Sequence, residues 1–465
     1  MDKKRRKILS TIAMCLGIFL VMLDTTIMNI ALPAIQQGLK VNTSQLSWTL
    51  NVYTIIFASF TIPLSRLGEI FGRNRMYLFG LIGFGIGSLI AGMANSFTFL
   101  ILGRAVSSIG AAILLPLANT IGISTWNVDQ RFKVVAALGL TQGGAAAIGP
   151  TLGGLITDTL SWHWIFLINI PIVILAVALS LISLSINSET NVHVKIDWWG
   201  SIFSMLALFF LTLGIIEGRN WQWTNIKTFG CFISSFIFII VFLEIEKHVV
   251  SPMVNLRLFR VGAFVSSSVV GLLAQFFYIG VIVMMPTFFT RIQGKTEFNA
   301  ALILLPMSIA VFCFGGLGSL LINKLGPRMI VFYGLVCLAL SYYLLTVLNA
   351  DKVINMSLAT LICGIGFGII SGPVNVLAAS DLEGDLLTAS QSVITVFRQI
   401  GSVLGVSIFM SMLNNNLQNI KFKTPQNLSI AYLKMYKFWI PFLVLSLLLS
   451  LCFSKKQQYL NKLSK

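Results

Sequence analysis

Leu23-Asp24-Thr25-Thr26-Ile27-Met28-Asn29-Ile30-Ala31-Leu32-Pro33 closes a hydrophobic run that begins at Ile8. Asp24 lies well inside that run, whereas every other acidic residue falls in a connection or close to one. A lone carboxylate in an apolar span is costly to hold in a bilayer, and by default it marks a functional site. On a helix, Thr25 and Asn29 stand beside the Asp24 face. One arc of the span, with Met28, can therefore line a watery cavity while the opposite arc meets lipid.

The chain around this stretch has 465 residues, 56% hydrophobic and only 10% charged, where soluble domains carry about a quarter charged residues. The apolar runs reach about twenty residues, the length of a helix that crosses a bilayer, and the strict alternation of barrel strands is absent. The expectation is an all-α polytopic membrane protein. Lys3-Lys4-Arg5-Arg6-Lys7 could introduce a signal peptide, but the run that follows is long, lacks a small-residue cleavage site and holds Asp24, so it reads as a retained helix. The net charge of +17 comes from cations clustered in connections, which points to topology in the lipid bilayer and not to nucleic acid. Cys15, Cys231, Cys313, Cys337, Cys363 and Cys452 lie singly, and His163, His193 and His248 stand apart, so no metal, redox or nucleophile pattern forms. Neither an enzyme nor a cofactor is expected.

Spans are expected near 8–32, 46–65, 76–95, 98–123, 134–157, 163–186, 198–217, 227–245, 263–289, 299–322, 328–349, 353–379, 387–413 and 433–453, fourteen in all. With the N-terminus inside, the inner segments hold twenty Lys and Arg and the outer loops ten, with Arg104 and Arg398 inside spans. That bias puts both termini in the cytoplasm of a multi-pass cell-membrane protein. Two places run against it: the inner loop Asp381-Leu382-Glu383-Gly384-Asp385 is acidic, and the last outer connection carries Lys421, Lys423, Lys434 and Lys437. Ser65, Glu69 and Gly72 recur as Ser319, Asn323 and Gly326 at a constant offset of 254. Two six-helix bundles follow, at 1–190 and 262–465, with a helix pair inserted between them at 191–261.

The turn Ser65-Arg66-Leu67-Gly68-Glu69-Ile70-Phe71-Gly72-Arg73-Asn74-Arg75 resembles the signature loop of the major facilitator superfamily. The Leu23–Pro33 run is similar to a first-span motif of its fourteen-span drug:proton antiporters. Further matches are Leu102-Gly103-Arg104 through Gly110-Ala111-Ala112, Gly149-Pro150-Thr151-Leu152-Gly153-Gly154, Trp162 to Pro171, Asp197-Trp198-Trp199-Gly200 and Arg398-Gln399-Ile400-Gly401. The loop departs from the family pattern at Ser65, Glu69 and Ile70, and Glu69 keeps the charge. The resemblance implies the major facilitator fold and export, driven by the proton gradient, of small hydrophobic compounds that are neutral or monocationic, by a monomer. It also implies that Glu69, Gly72, Arg73, Gly149, Pro150, Gly153 and Gly154 serve the conformational change.

Asp24 lies roughly 13 Å below Pro33 and Arg104 roughly 12 Å below its outer turn, counted at 1.5 Å per residue, so the two can pair as proton-coupling groups. Burial and a neighbouring arginine act oppositely on the proton affinity of a carboxylate. A purely structural hydrogen bond for Asp24, and an Arg104 that snorkels outward, remain open alternatives. Arg398, about mid-span, either meets substrate or braces its helix. Gln142 and Phe277 are further cavity candidates, although aromatic groups such as Phe276-Phe277-Tyr278 also serve as core. Glu217, Asp158 and Glu244 stand at helix ends, where solvated roles are expected. A uniporter or importer of a small metabolite on the same fold is the alternative function.

Overall fold

The computed structural model describes residues 2–127, 130–185, 197–249, 251–347, 352–379, 382, 384–418, 424–454 and 456. Seven helices form a first group: α1 (Lys3–Leu39), α2 (Thr43–Phe71), α3 (Arg73–Gly92), α4 (Phe97–Ser124), α5 (Arg131–Thr159), α6 (Trp164–Leu167) and α7 (Asn169–Ser183). A pair follows, α8 (Trp198–Trp221) and α9 (Ile226–His248). The remainder are α10 (Gly262–Arg291), α11 (Glu297–Leu325), α12 (Pro327–Val347), α13 (Val353–Ala378), α14 (Gly384–Gln418) and α15 (Pro425–Ser446). Among the described residues, thirteen helical stretches are long and apolar enough to cross a membrane, with α6 and α7 taken as one span. The fourteenth is α5, bent by 41° between Arg131–Ala146 and Thr151–Thr159.

The helix starts are written into the sequence. Asn42 and Gln45 form a reciprocal capping box at α2, with bonds of 2.8 and 3.1 Å, and Asp197 caps α8 through the Gly200 amide at 2.8 Å. Between α2 and α3 the chain turns at Gly72, φ 96°, and between α11 and α12 at Gly326, φ 86°, a region that side chains disfavour. The repeat extends past the glycines. Asn74 donates to Ser185 O at 3.0 Å, and Arg328, 254 positions on, donates to Leu451 O at 2.8 Å and Phe453 O at 3.1 Å. In both bundles the helix after the turn is thus tied to the end of the bundle's last span.

Three expectations needed correction. α1 does not stop at Pro33; it runs on to Leu39 and ends at Lys40 in the left-handed conformation, φ 51°. Asp24 is therefore about 22 Å from its helix end at 1.5 Å per residue, and it still meets Arg104 because α1 projects past the end of α4. The sixth span is broken at Ile168 into α6 and α7. α15 begins at Pro425, so Lys434 and Lys437 are helical. The boundary drawn at 190/191 lies outside the described residues.

The described ends of the chain, and the helix ends that flank the α2–α3, α4–α5, α7–α8, α9–α10, α11–α12 and α13–α14 connections, lie on one face, called here the termini side. Arg6 Nε reaches Ser183 O at 2.7 Å there, and Trp126 Nε1 reaches Thr11 Oγ1 at 2.9 Å. The core of the first bundle gathers Met14, Ile18, Tyr77, Phe84 and Leu114. The second gathers Phe277, Met284, Tyr342, Phe409 and Tyr436. The α8–α9 pair packs through α8 against α2 and α14, and at the opposite face Trp223 Nε1 donates to Ser411 Oγ of α14 at 3.0 Å.

Candidate functional site

Asp24 and Arg104 face each other inside the first bundle, each 1% exposed. Arg104 Nη1 donates to Asp24 Oδ2 at 2.6 Å, and Arg104 Nε donates to the Thr49 carbonyl of α2 at 3.2 Å. The guanidinium lies 4.2 Å from the Tyr53 ring centroid and 5.8 Å from that of Phe166, an arrangement that favours a cation over an aromatic face. Ser108 Oγ holds the Tyr53 carbonyl at 2.5 Å, fixing α2 against α4. Asp24 Oδ1 is buried and has no hydrogen-bond partner among the described residues. Removing one member of a buried pair of this kind costs about 3–5 kcal/mol, because the other charge is left uncompensated.

The glycines of α5 serve two contacts at once. A Cβ at Gly149 would fall 2.0 Å from Thr26 Oγ1, and one at Gly153 would fall 2.8 Å from Ile27 Cγ1. α5 can therefore lie directly on α1 beside Asp24, while Gly154 is half-buried. Further along, a Cβ at Gly143 would fall 2.5 Å from Phe312 Cα, and one at Gly139 would fall 3.2 Å from Gly315 O. α5 is thus a slender rod that joins the Asp24 helix to α11 of the other bundle.

Among the described residues, side-chain hydrogen bonds join the bundles directly on the termini side. Arg66 Nη1 meets Asp385 Oδ2 at 3.0 Å, and Ser392 Oγ meets Ser65 Oγ at 2.5 Å. Arg73 grips Glu69 with two bonds of 2.7 and 2.8 Å across the Gly72 turn. Asp385 in the acidic loop thus has a structural role that charge counting along the sequence could not assign. Met253 and Val254, which follow α9, sit in the same crevice with Ile62, Arg66, Glu69, Asp385 and Ser392. Their amides donate to the Glu246 carboxylate at 3.0 and 3.4 Å. In this conformation the bundles are locked together at the termini side.

The other candidates separate by environment. Thr25 is exposed and bonded to Val21 O at 2.8 Å; Gln142 and Arg398 are half-buried. Met28 is 0% exposed, in an apolar cluster with Ile27, Ala31 and Leu100, and Phe277 is 1% exposed against Tyr342 and Trp439, so both are engaged in packing here and not on a cavity wall. The side chains of Asn29 and Pro150 lie outside the described residues. Asp158 and Glu244 are exposed as expected, but Glu217 is not a solvated helix end. It is 5% exposed, with Asn220 Nδ2 on its Oε2 at 3.0 Å. Sequence reading missed Thr49 and Tyr53, whose i, i+4 spacing on α2 was the available signal. It also missed Phe166, and Asn375 beside Arg398, for which no local signal exists.

Comparison with known proteins agrees with this architecture. The description "Major Facilitator Superfamily" matches residues 14–406. The chain is 28% identical over 410 residues to "Multidrug resistance protein 3" of Bacillus subtilis, covering 88% of this chain and 80% of that one. It is 27% identical to "Multidrug resistance protein Stp" of Mycobacterium tuberculosis, covering 88% and 76%, and 28% identical to "Probable multidrug resistance protein EmrY" of Escherichia coli, covering 86% and 79%. Among solved structures, the human organic anion transporter MFSD10 superposes with a TM-score of 0.70 at 12% identity, covering 97% of this chain and all of that one, a likeness of fold. With its membrane-crossing helices, repeated bundles and buried Asp24–Arg104 pair, the chain belongs to the Major Facilitator Superfamily, as a multi-pass membrane transporter and not an enzyme.

Proposed function

We propose that the protein exports hydrophobic drugs, dyes or antibiotics carrying at most one charge across the cytoplasmic membrane, as a monomer, in exchange for protons. The relatives named for multidrug resistance support the cargo class. The observation that carries the coupling is Asp24 Oδ1, a carboxylate oxygen enclosed in the bundle without a hydrogen-bond partner among the described residues, where a proton can be taken up. Both termini face the cytoplasm in this reading, so the locked termini side is the cytoplasmic gate and the conformation is outward-facing.

A proton arriving from outside neutralises Asp24 and leaves Arg104 held by Thr49 O and the Tyr53 ring alone. The Thr26 and Ile27 contacts with Gly149 and Gly153 then pass the altered fit of α1 to α5, and through Gly143 to α11. The bundles rock, the Arg66–Asp385 contact opens, and the proton leaves inward as cargo enters, which is alternating access. One proton moving inward down the membrane potential contributes about 2.3 kcal/mol per 100 mV.

The test is dye transport in vesicles reconstituted with full-length protein and an imposed proton gradient. Asp24→Asn is expected to abolish gradient-driven accumulation and cargo-induced proton release while still inserting; Asp24→Glu keeps partial activity. Wild-type coupling in the Asn variant would overturn the assignment of Asp24. Wild-type flux indifferent to the gradient would instead indicate a uniporter.

A further inference from the structure

Two arginines lie deep in spans, and they differ in how they are neutralised. Arg104 has Asp24 at 2.6 Å. Arg398 has no acidic partner among the described residues; its polar contact is Asn375 Oδ1 of α13 at 3.4 Å. It stands fourteen residues into α14, about 21 Å from that helix end at 1.5 Å per residue, and its guanidinium points back along the helix to Asn375, three residues before the end of α13. Its stem lies over Gly271 of α10, where a Cβ would sit 3.4 Å from Arg398 Cγ, and its guanidinium turns to α13.

Resting on the export reading above, we infer that Arg398 is the heart of an anion-binding subsite in the second bundle, and that the cargo carries a single carboxylate or sulfonate. Asn375, 4% exposed, receives the guanidinium on Oδ1, which leaves its amide N–H groups as donors. Gln391 Nε2 approaches the Asn375 carbonyl at 3.5 Å and secures that helix turn. Ser267, one helical turn before Gly271 on the same face of α10, is 0% exposed and its hydroxyl has no partner among the described residues. A planar guanidinium, an amide N–H and a hydroxyl from three helices form a donor set suited to a carboxylate or sulfonate. Gln391 Oε1, also without a partner among the described residues, can accept from a hydroxyl or amide elsewhere on the same molecule.

Charge balance points the same way. Deep in the described spans stand one acid, Asp24, and two cations, Arg104 and Arg398, so one positive charge is left over. An isolated cation at that depth is expensive to keep; an arriving anion compensates it, whereas a cationic cargo meets repulsion. The carboxylate that would offset such a cation is absent from residues 299–322 of α11. The sign also sets the electrical signature. Exchange of one inward proton for one outward monoanion moves two charges per cycle, against one for a neutral cargo and none for a monocation.

Equilibrium binding tests this without requiring transport, so failure of the export reading and failure of the subsite can be told apart. The probes are 1-anilinonaphthalene-8-sulfonate and its uncharged counterpart N-phenyl-1-naphthylamine, followed by fluorescence on purified full-length protein, with tetraphenylphosphonium as a competing monocation. Wild type is expected to bind the sulfonate tighter than the neutral probe. Arg398→Ala should weaken the sulfonate by about tenfold or more, the loss of one charge-assisted contact, with the neutral probe nearly unchanged. Arg398→Lys, which keeps the charge but not the fork, should retain part of the sulfonate affinity, and it carries the test if the alanine variant does not fold. Equal losses for both probes would mean that Arg398 only braces α14. That result, or a wild type that prefers the neutral probe or the phosphonium, overturns the proposal.

Discussion

Adding one methyl group at Gly143 should unlock the termini side. The Cβ of Gly143→Ala would stand 2.5 Å from Phe312 Cα, 2.6 Å from Phe312 N and 2.8 Å from Val311 C. All three are backbone atoms, which cannot rotate away, so α5 and α11 must separate by about 1 Å or more to reach an ordinary carbon contact of about 3.5–4.0 Å. Overpacking of that kind costs about 1–3 kcal/mol. Because the contact runs between bundles, the cost falls on the conformation in which α5 and α11 meet in this way. The equilibrium should therefore move toward opening by about five- to 150-fold. A reporter is Ser371→Cys, 7% exposed beside Gly315, in a background lacking the six native cysteines and challenged with an impermeant maleimide from the termini side. The labelling rate should rise by that factor in Gly143→Ala and stay unchanged in Gly230→Ala, whose Cβ would meet nothing within 4 Å. An unchanged rate in Gly143→Ala would refute the view that this seam closes the protein.

Three further outcomes are expected. Arg66→Ala should raise labelling of the same reporter less, because Asp385 is 43% exposed and a solvated pair contributes about 0.2–1 kcal/mol; the swap Arg66→Asp with Asp385→Arg should restore the slow rate. Trp223→Phe removes the bond to Ser411 and should lower thermal stability by the equivalent of about 0.5–1.5 kcal/mol in a melting assay, with the range of exported compounds unaltered. For orientation, Gln37→Cys should react with impermeant reagent added outside intact cells and Lys247→Cys should not; Gly38 is the wrong reporter, since its Cβ would sit 2.5 Å from Trp162 Nε1.

The span count and the repeated turn were legible because hydrophobic length and glycine at a positive φ are local properties: the offset of 254 between Gly72 and Gly326 survives as the same backbone turn. The pairing of Asp24 with Arg104 was legible as well, although by a partly compensating error. Pro33 was read as a helix end when α1 continues to Leu39, since a proline near a terminus does not always stop a helix. Environments defined by distant segments were not legible. Glu217 reads as a solvated helix end, and the fold buries it. Asp385 reads as an anomaly in an inner loop, and Arg66 from 319 positions away gives it a partner. Met28 shares the polar stretch of α1 in sequence yet points to an apolar cluster, because α5 and α6 close over that side of the helix.

The meeting of Gly139 with Gly315 has one more consequence. A Cβ on either glycine would fall 3.2 Å from the other's carbonyl oxygen, so backbone lies against backbone. A seam made this way freezes no rotamers when it forms, whereas a buried lysine or arginine gives up about 1.5–2 kcal/mol of side-chain entropy. Neither joining nor separating the bundles there requires long side chains to be ordered or released. The balance between the two ends of the transport cycle is then nearly level in conformational entropy at this seam, so small differences in proton and cargo occupancy are enough to tip it.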